Sequence, residues 1–265
     1  MKPCLCNQLV LLRYIPYVKN PRKITKYRPI SLCNVIYKLA FKTVANRLKT
    51  VLSSIVNENQ SAFTKGRFIT DNILVSYETM HHISYKRTGK IGEIALKLDM
   101  SKAYDRMEWA CLRGIMEKLG IHRRMVEVVM RCVCTITYSV RINGKPTGCI
   151  TPSRGLRQGD PLSPCLFLLY AEGLSGLIRQ QVDKGNLKGV AICRGAPHIS
   201  HLFFTDDSLI FCQATLGECE VLQQIFLVYE VVSGQQLNRN KSALFFSKNT
   251  PSAIQEEIQR RFRAW

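Results

Sequence analysis

The chain has 265 residues, 46% hydrophobic and 22% charged, which suits one large packed domain or two intimate ones and excludes disorder and fibrous repeats. Lys and Arg total 38 against 19 acidic residues, a net charge of +19 that fits a polyphosphate partner or an anionic membrane surface. The longest nearly apolar stretch, Cys165 to Tyr170 and on past Glu172, falls short of the ~20 residues that cross a bilayer, and Leu9 to Leu12 is too short for a secretory signal, so an intracellular protein without a membrane span is expected.

In chain order, residues 13–32 read as irregular and basic, with Pro16, Pro21 and Pro29 interrupting long elements. A helix follows, because Val35, Ile36, Leu39, Val44, Leu48, Val51, Leu52 and Ile55 recur at three- and four-residue spacing while Lys38, Lys42, Arg47 and Lys49 fill the remaining face. A second helix is expected from about Asp71 to Tyr85. From Glu93 the pattern alternates, with Ile94, Leu96 and Leu98 on one side and Ala95, Lys97 and Asp99 on the other, which predicts a half-buried strand ending at an aspartate. Residues 107–119 return to helical period and stop before Gly120.

Thr135 to Ile142 alternates again, Asn143-Gly144 signals a tight hairpin, and Lys145 to Ile150 supplies the returning strand. Asp160 is placed to cap a helix opening at Pro161 and running from Leu162 to Ile178. His198 to Phe204 and Ser208 to Cys212 read as strands flanking Thr205-Asp206-Asp207. A helix over 216–232 and a short strand over 243–247 complete the pattern. Hairpins mixed with helices predict an α+β fold carrying a basic N-terminal subdomain.

Charge is uneven. The first 98 residues hold 17 Lys and Arg against four acids, and the remaining 167 hold 21 against 15. Eleven cysteines, an odd number without any C-x-x-C pair, read as small buried hydrophobes rather than as zinc ligands or disulfides.

The acids suggest chemistry. Asp99 ends a strand, and Asp206 and Asp207 sit at a hairpin apex flanked by the apolar runs His201 to Phe204 and Leu209 to Phe211. If these elements are sheet neighbours, three carboxylates converge at the rim and can hold two Mg²⁺ ions about 4 Å apart through oxygen ligands alone. Like charges gathered there repel unless a cation neutralises them.

Lys97-Leu98-Asp99-Met100-Ser101-Lys102-Ala103-Tyr104-Asp105-Arg106, Gly155-Leu156-Arg157-Gln158-Gly159-Asp160-Pro161-Leu162-Ser163-Pro164 and Phe204-Thr205-Asp206-Asp207 resemble motifs A, B and C of the reverse transcriptases of non-LTR (LINE-like) retrotransposons, especially plant ones. The resemblance extends to Tyr27 to Leu32, to Gln60-Ser61-Ala62-Phe63 with Gly66-Arg67, and to Ser233 to Asn238 with Lys241-Ser242, covering about residues 13–250. It implies a palm built on an antiparallel sheet flanked by helices, with helical basic fingers over 1–92, the palm over 93–247 and the start of a thumb connection over 248–265, the thumb itself missing or truncated. It further implies that Asp99, Asp206 and Asp207, with the Met100 carbonyl, hold two Mg²⁺ ions, Mn²⁺ being an alternative.

Tyr104 corresponds to the ring that rejects a ribose 2′-hydroxyl. Arg28 and Arg67 correspond to basic residues near the triphosphate or template backbone, Gln158 and Gly159 to the loop under the templating base pair, and Lys241 to a lysine near the pyrophosphate. The implied partners are an RNA template, a DNA primer and deoxynucleoside triphosphates, with work on chromosomal DNA placing the protein in the nucleus. Thr205 stands where the family usually has alanine, and Tyr17 where it commonly has lysine. An upstream endonuclease and a downstream Cys/His-rich segment are expected to lie outside the chain.

Three readings follow: a competent polymerase core, a decayed fragment that only binds nucleic acid, and a two-metal phosphodiesterase. Tyr104, the Gly159 loop and the basic first third favour polymerisation over hydrolysis. The intact Asp99, Asp206 and Asp207 favour a competent core over a remnant.

Overall fold

A computed structural model describes residues 8–16, 18–62, 64, 66–143, 145–204 and 207–264. The strands are β1 Gln8–Pro16, β2 Tyr27–Leu32, β3 Glu93–Leu98, β4 Ile136–Ile142, β5 Lys145–Ile150, β6 His201–Phe204, β7 Asp207–Gln213 and β8 Ala243–Phe246. The helices are α1 Val35–Ile55, α2 Ile69–Tyr85, α3 Ala103–Arg106, α4 Trp109–Lys118, α5 Arg123–Cys134, α6 Ser163–Asp183, α7 Leu216–Ser233 and α8 Ser252–Ala264. None of them is long and apolar enough to cross a membrane. The chain divides into two compact units, one of Met1–Leu52 with Tyr104–Leu169 and one of Ser53–Ala103 with Tyr170–Trp265.

The first unit carries a mixed sheet in the order β2-β1-β4-β5, in which β1 runs parallel to β4 and the other neighbours are antiparallel. Strand β2 and the last four residues of β1 lie in the stretch expected to be irregular, residues 13–32. Pro16 is tolerated as the last residue of β1, and Pro29 lies in the edge strand β2, where a missing N–H is least costly. Helix α1 has the expected limits but a different buried face. Tyr37, Phe41, Ala45, Leu48 and Leu52 are buried, while Val35, Ile36 and Leu39 face solvent. Both stripes have helical period and share Leu48 and Leu52. The buried one is fixed by two stacked rings, Tyr37 and Phe41, which lie beneath the Arg157 guanidinium at 4.5 and 4.8 Å from its carbon. Helix α5 has no counterpart in the sequence reading, although Val126, Val129, Met130 and Val133 form its buried stripe.

The second unit carries an antiparallel sheet in the order β6-β7-β3-β8. The central β3 is covered on both faces, so the expected half-buried strand is corrected. Ala95 packs with Ile83 of α2, Leu202 and Phe211, whereas Leu96 and Leu98 share a cavity with Phe226 of α7 and Phe262 of α8. Glu93, Ile94, Ala95, Leu96 and Leu98 are all buried and only Lys97 is exposed. Among the nine described cysteines only Cys165, Cys212 and Cys219 are buried, so the reading of cysteine as a core residue holds for a minority.

His201 of β6 is fully enclosed. Its Nε2 lies 2.9 Å from Ser175 Oγ and its Nδ1 lies 2.9 Å from Ser200 Oγ. Burial, with Arg179 adding to it, pushes its pKa down to about 4. The unfolded chain takes up a proton near the ordinary pKa of 6.5 that the folded chain refuses until about pH 4. Stability therefore falls as pH drops through that window, by up to about 3 kcal/mol. Denaturation midpoints compared at neutral pH and near pH 4.5 are expected to show this loss in the native chain and a clearly smaller one in His201→Gln.

Candidate functional site at the β3–β7 sheet end

The antiparallel register pairs Leu98 of β3 with Ser208 of β7, and Phe204 of β6 with Asp207. The pairing stops there, so Asp99, the residue after β3, and Asp207, the first residue of β7, lie at the same sheet end. Thr205 and Asp206, between β6 and β7 in sequence, lie outside the described residues, as does Tyr17. Among the described residues no group of three or more His, Cys, Asp or Glu converges as a metal site.

Asp99 is half-buried and held on its other side by the segment after α7. Its backbone N–H donates to Ser242 Oγ at 3.3 Å, its carbonyl accepts from the Asn238 N–H at 2.8 Å, and its Oδ2 accepts from Asn238 Nδ2 at 2.9 Å. Met100 bridges to Leu237, and the Ser101 N–H donates to the Gln236 carbonyl at 2.8 Å. Gln235 Nε2 reaches the Ala103 carbonyl at 2.8 Å. The stretch Gln235 to Ser242 thus clamps the residues that follow β3. Lys241 is exposed in the turn between Asn238 and Ser242, its N–H bonded to the Asn238 carbonyl at 3.0 Å. Sequence reasoning assigned no task to Asn238 or Ser242. An amide and a hydroxyl flanking a lysine turn were the only signal available.

Arg67 is occupied within its own unit. Its Nη1 donates to the carbonyls of Asn57 and Gln60, and its Nη2 donates to those of Val56 and Ser53. These acceptors are the carbonyls that α1 and the following turn leave unsatisfied at the helix C-terminus. All four terminal N–H groups are donated, so a phosphate contact has to use Nε or displace this cap.

The remaining expected residues belong to the other unit. Arg28 is exposed on edge strand β2. Tyr104 is half-buried in α3, its ring parallel to Phe167 at 4.9 Å between centroids, and its carbonyl accepts from the Leu156 N–H at 2.7 Å. The Gln158 carbonyl accepts from the Ser31 N–H of β2 at 3.0 Å. Gly159 adopts φ +95, and a Cβ there would press on the Ser31 carbonyl at 3.4 Å. Gly155 is more constrained, since a Cβ would sit 2.8 Å from the Asp105 carbonyl.

Arg157 and Asp160 hold this loop from beneath as a buried pair at 2.7 Å. Arg157 Nη2 also donates to the Cys132 carbonyl at 3.0 Å, and Asp160 Oδ1 accepts from the Leu162 N–H at 2.8 Å. Burial lifts the Asp160 carboxyl above its ordinary pKa despite the arginine, and it lowers Arg157 despite the aspartate. Desolvation outweighs attraction for both partners, so the pair specifies the loop more than it stabilises the fold. The Asp160 carboxylate ends a turn preceding the helix, which begins at Ser163 instead of Pro161.

Residues 18–259 match the family described as reverse transcriptase (RNA-dependent DNA polymerase). Over 91% of its length the chain is 30% identical to the transposon TX1 149 kDa protein of Xenopus laevis, of which it spans 18%. It is 26% identical over 90% of its length to the Pol polyprotein from retrotransposable element R2DM of Drosophila melanogaster, spanning 21% of that protein. A mitochondrial protein of Arabidopsis thaliana is 41% identical over 45% of the chain, which covers 97% of that protein. The fold resembles telomerase from Candida albicans, solved with a fragment of telomeric RNA, at a TM-score of 0.62 and 15% identity over 92% of this chain and 43% of that one. Telomerase from Candida tropicalis aligns at a TM-score of 0.60 and 14% identity over 95% of this chain and 52% of that one.

Arg67→Lys is expected to leave most of the carbonyl cap unmade and to lower unfolding free energy by about 1–3 kcal/mol. Urea denaturation would report this as a lower midpoint at an unchanged slope.

Proposed function

Since the chain belongs to the reverse transcriptase (RNA-dependent DNA polymerase) family, we propose that it forms the fingers and palm of an RNA-directed DNA polymerase that extends a DNA primer on an RNA template. In this reading residues 1–92 serve as fingers, 93–247 as palm and 248–265 as the approach to a thumb. An element that copies itself into chromosomal DNA works in the nucleus. The observation that carries the proposal is the β3–β7 register, which brings Asp99 to the sheet end where β7 opens at Asp207.

A divalent ion fits the donor set. Asp99 is a half-buried oxygen ligand with one carboxylate oxygen taken by the Asn238 amide, and magnesium or manganese favours oxygen donors of this kind. Asp99, Asp206 and Asp207, with the Met100 carbonyl, would hold two such ions. When bound, they lower the pKa of the primer 3′-hydroxyl and neutralise the triphosphate and departing pyrophosphate.

The chain's own groups prepare this chemistry. The Asn238 amide and Ser242 hydroxyl fix the orientation of Asp99. Lys241 Nζ, exposed in the same turn, donates a proton to the leaving pyrophosphate. The Tyr104 ring, held flat against Phe167, excludes a ribose 2′-hydroxyl. Arg28 meets phosphate, and the Gln158-Gly159 backbone supports the templating base pair.

With RNA template, DNA primer, deoxynucleotides and Mg²⁺, the purified chain is expected to lengthen the primer, and Asp206→Asn to reduce the product to background. Extension that survives this substitution overturns the metal assignment. Binding without extension instead supports a remnant that only associates with nucleic acid. Tyr104→Ala is expected to raise ribonucleotide incorporation relative to deoxynucleotide by about ten- to hundredfold in single-nucleotide insertion assays. An unchanged ratio removes the gate.

A further inference from the structure

A column of aromatic rings runs along the exposed side of α2. Tyr77, His81 and Tyr85 succeed one another at four-residue spacing, with ring centroids 6.2 Å apart for the first pair and 4.5 Å for the second. Tyr77 and Tyr85 are 63% and 64% exposed, although rings of this size ordinarily bury much of their surface. Lys248 Nζ closes the column at 5.4 Å from the Tyr85 centroid.

Beyond the helix, Arg87 and Lys90 are exposed, and neither forms a salt bridge among the described residues. Their loop is anchored. Asn249 Nδ2 donates to the carbonyls of Thr88, Gly89 and Ile91, each at 3.1 Å. By contrast, Lys86 Nζ and His82 Nε2 are turned toward the buried Glu93, at 2.6 and 3.1 Å. An open cleft of about 590 Å³ lies along this end of α2, with Glu78 as an acid on its wall.

Stacked rings beside unpaired cations on a fixed support are the elements that hold unpaired bases and their phosphates. Arg87 on the cleft wall and Lys248 over the last ring set positive charge at both sides of the Tyr85 end of the column, which matches a polyanion. We propose that this face of α2 is a binding site for single-stranded RNA, a base continuing the aromatic column at Tyr77 and phosphates meeting Arg87, Lys90 and Lys248. It is separate from the Asp99 end. Glu93 opens β3 and Asp99 follows its last residue, so the two ends of the strand are about 20 Å apart. The choice of RNA over DNA rests on the template-copying reading proposed above. The site then holds template that is not yet copied.

The test uses the full chain and a fluorescently labelled single-stranded RNA of mixed sequence, followed by anisotropy. Tyr77→Ala combined with Tyr85→Ala is expected to weaken binding about tenfold, while Tyr77→Phe with Tyr85→Phe retains it and circular dichroism melting is unchanged in both. Double-stranded RNA is expected to bind both variants alike. Unchanged single-strand affinity in the Ala variant overturns the site, as does a loss confined to single-stranded DNA. Primer extension on a hybrid with a one-nucleotide template overhang is measured separately. Variant-sensitive RNA binding without extension leaves this site standing and removes only the polymerase reading.

Discussion

A one-residue slip between β3 and β7 would turn every side chain of β3 to the opposite face of the sheet. The six paired positions from Glu93↔Gln213 to Leu98↔Ser208 prevent it, because the two faces of β3 fit different neighbours. Ala95 packs under α2 with Ile83 and Phe211, and Leu96 and Leu98 face the other way, toward Phe226. Burial therefore fixes the register, and the register fixes where the aspartate after β3 comes to lie. The clamp from Asn238 and Ser242 acts on that aspartate from the far side, so its carboxylate is aimed by one hydrogen bond and its backbone by two.

The loop containing Gln158 and Gly159 is organised by another means. A buried arginine lies over two stacked rings and pairs with an aspartate three residues later, and the loop backbone between them is tied to β2. Since desolvation dominates for both charged groups, hydrophobic replacements of similar volume could give equal stability. Such replacements would lose the directional bonds to Cys132 and Leu162 that shape the turn.

Much of this architecture is legible in the sequence. The alternation from Glu93, the Asn143-Gly144 turn and the apolar runs around Asp206-Asp207 give β3, the β4–β5 hairpin and the β6–β7 pair close to their observed limits. Strands β1 and β2 were hidden by their prolines, which are compatible with strand ends and edges but read as breaks. The β-branched content of α5 masked its helical stripe. In α1 two apolar stripes compete, and only the partner arginine, more than a hundred residues away in sequence, selects between them. The site divides in the same manner. Asp99 is visible because it ends a periodic strand, whereas the roles of Asn238, Ser242 and the Arg67 cap depend on tertiary contacts that local pattern does not encode.

Both outer strands of the first sheet carry a cation followed by proline, Arg28-Pro29 in β2 and Lys145-Pro146 in the fully exposed β5. A foreign strand arriving at either border would find a missing donor and a charge that resists burial. The sheet is thereby closed to growth by addition of further chains. Two short dipeptides thus guard a sheet that leaves a whole strand open to water.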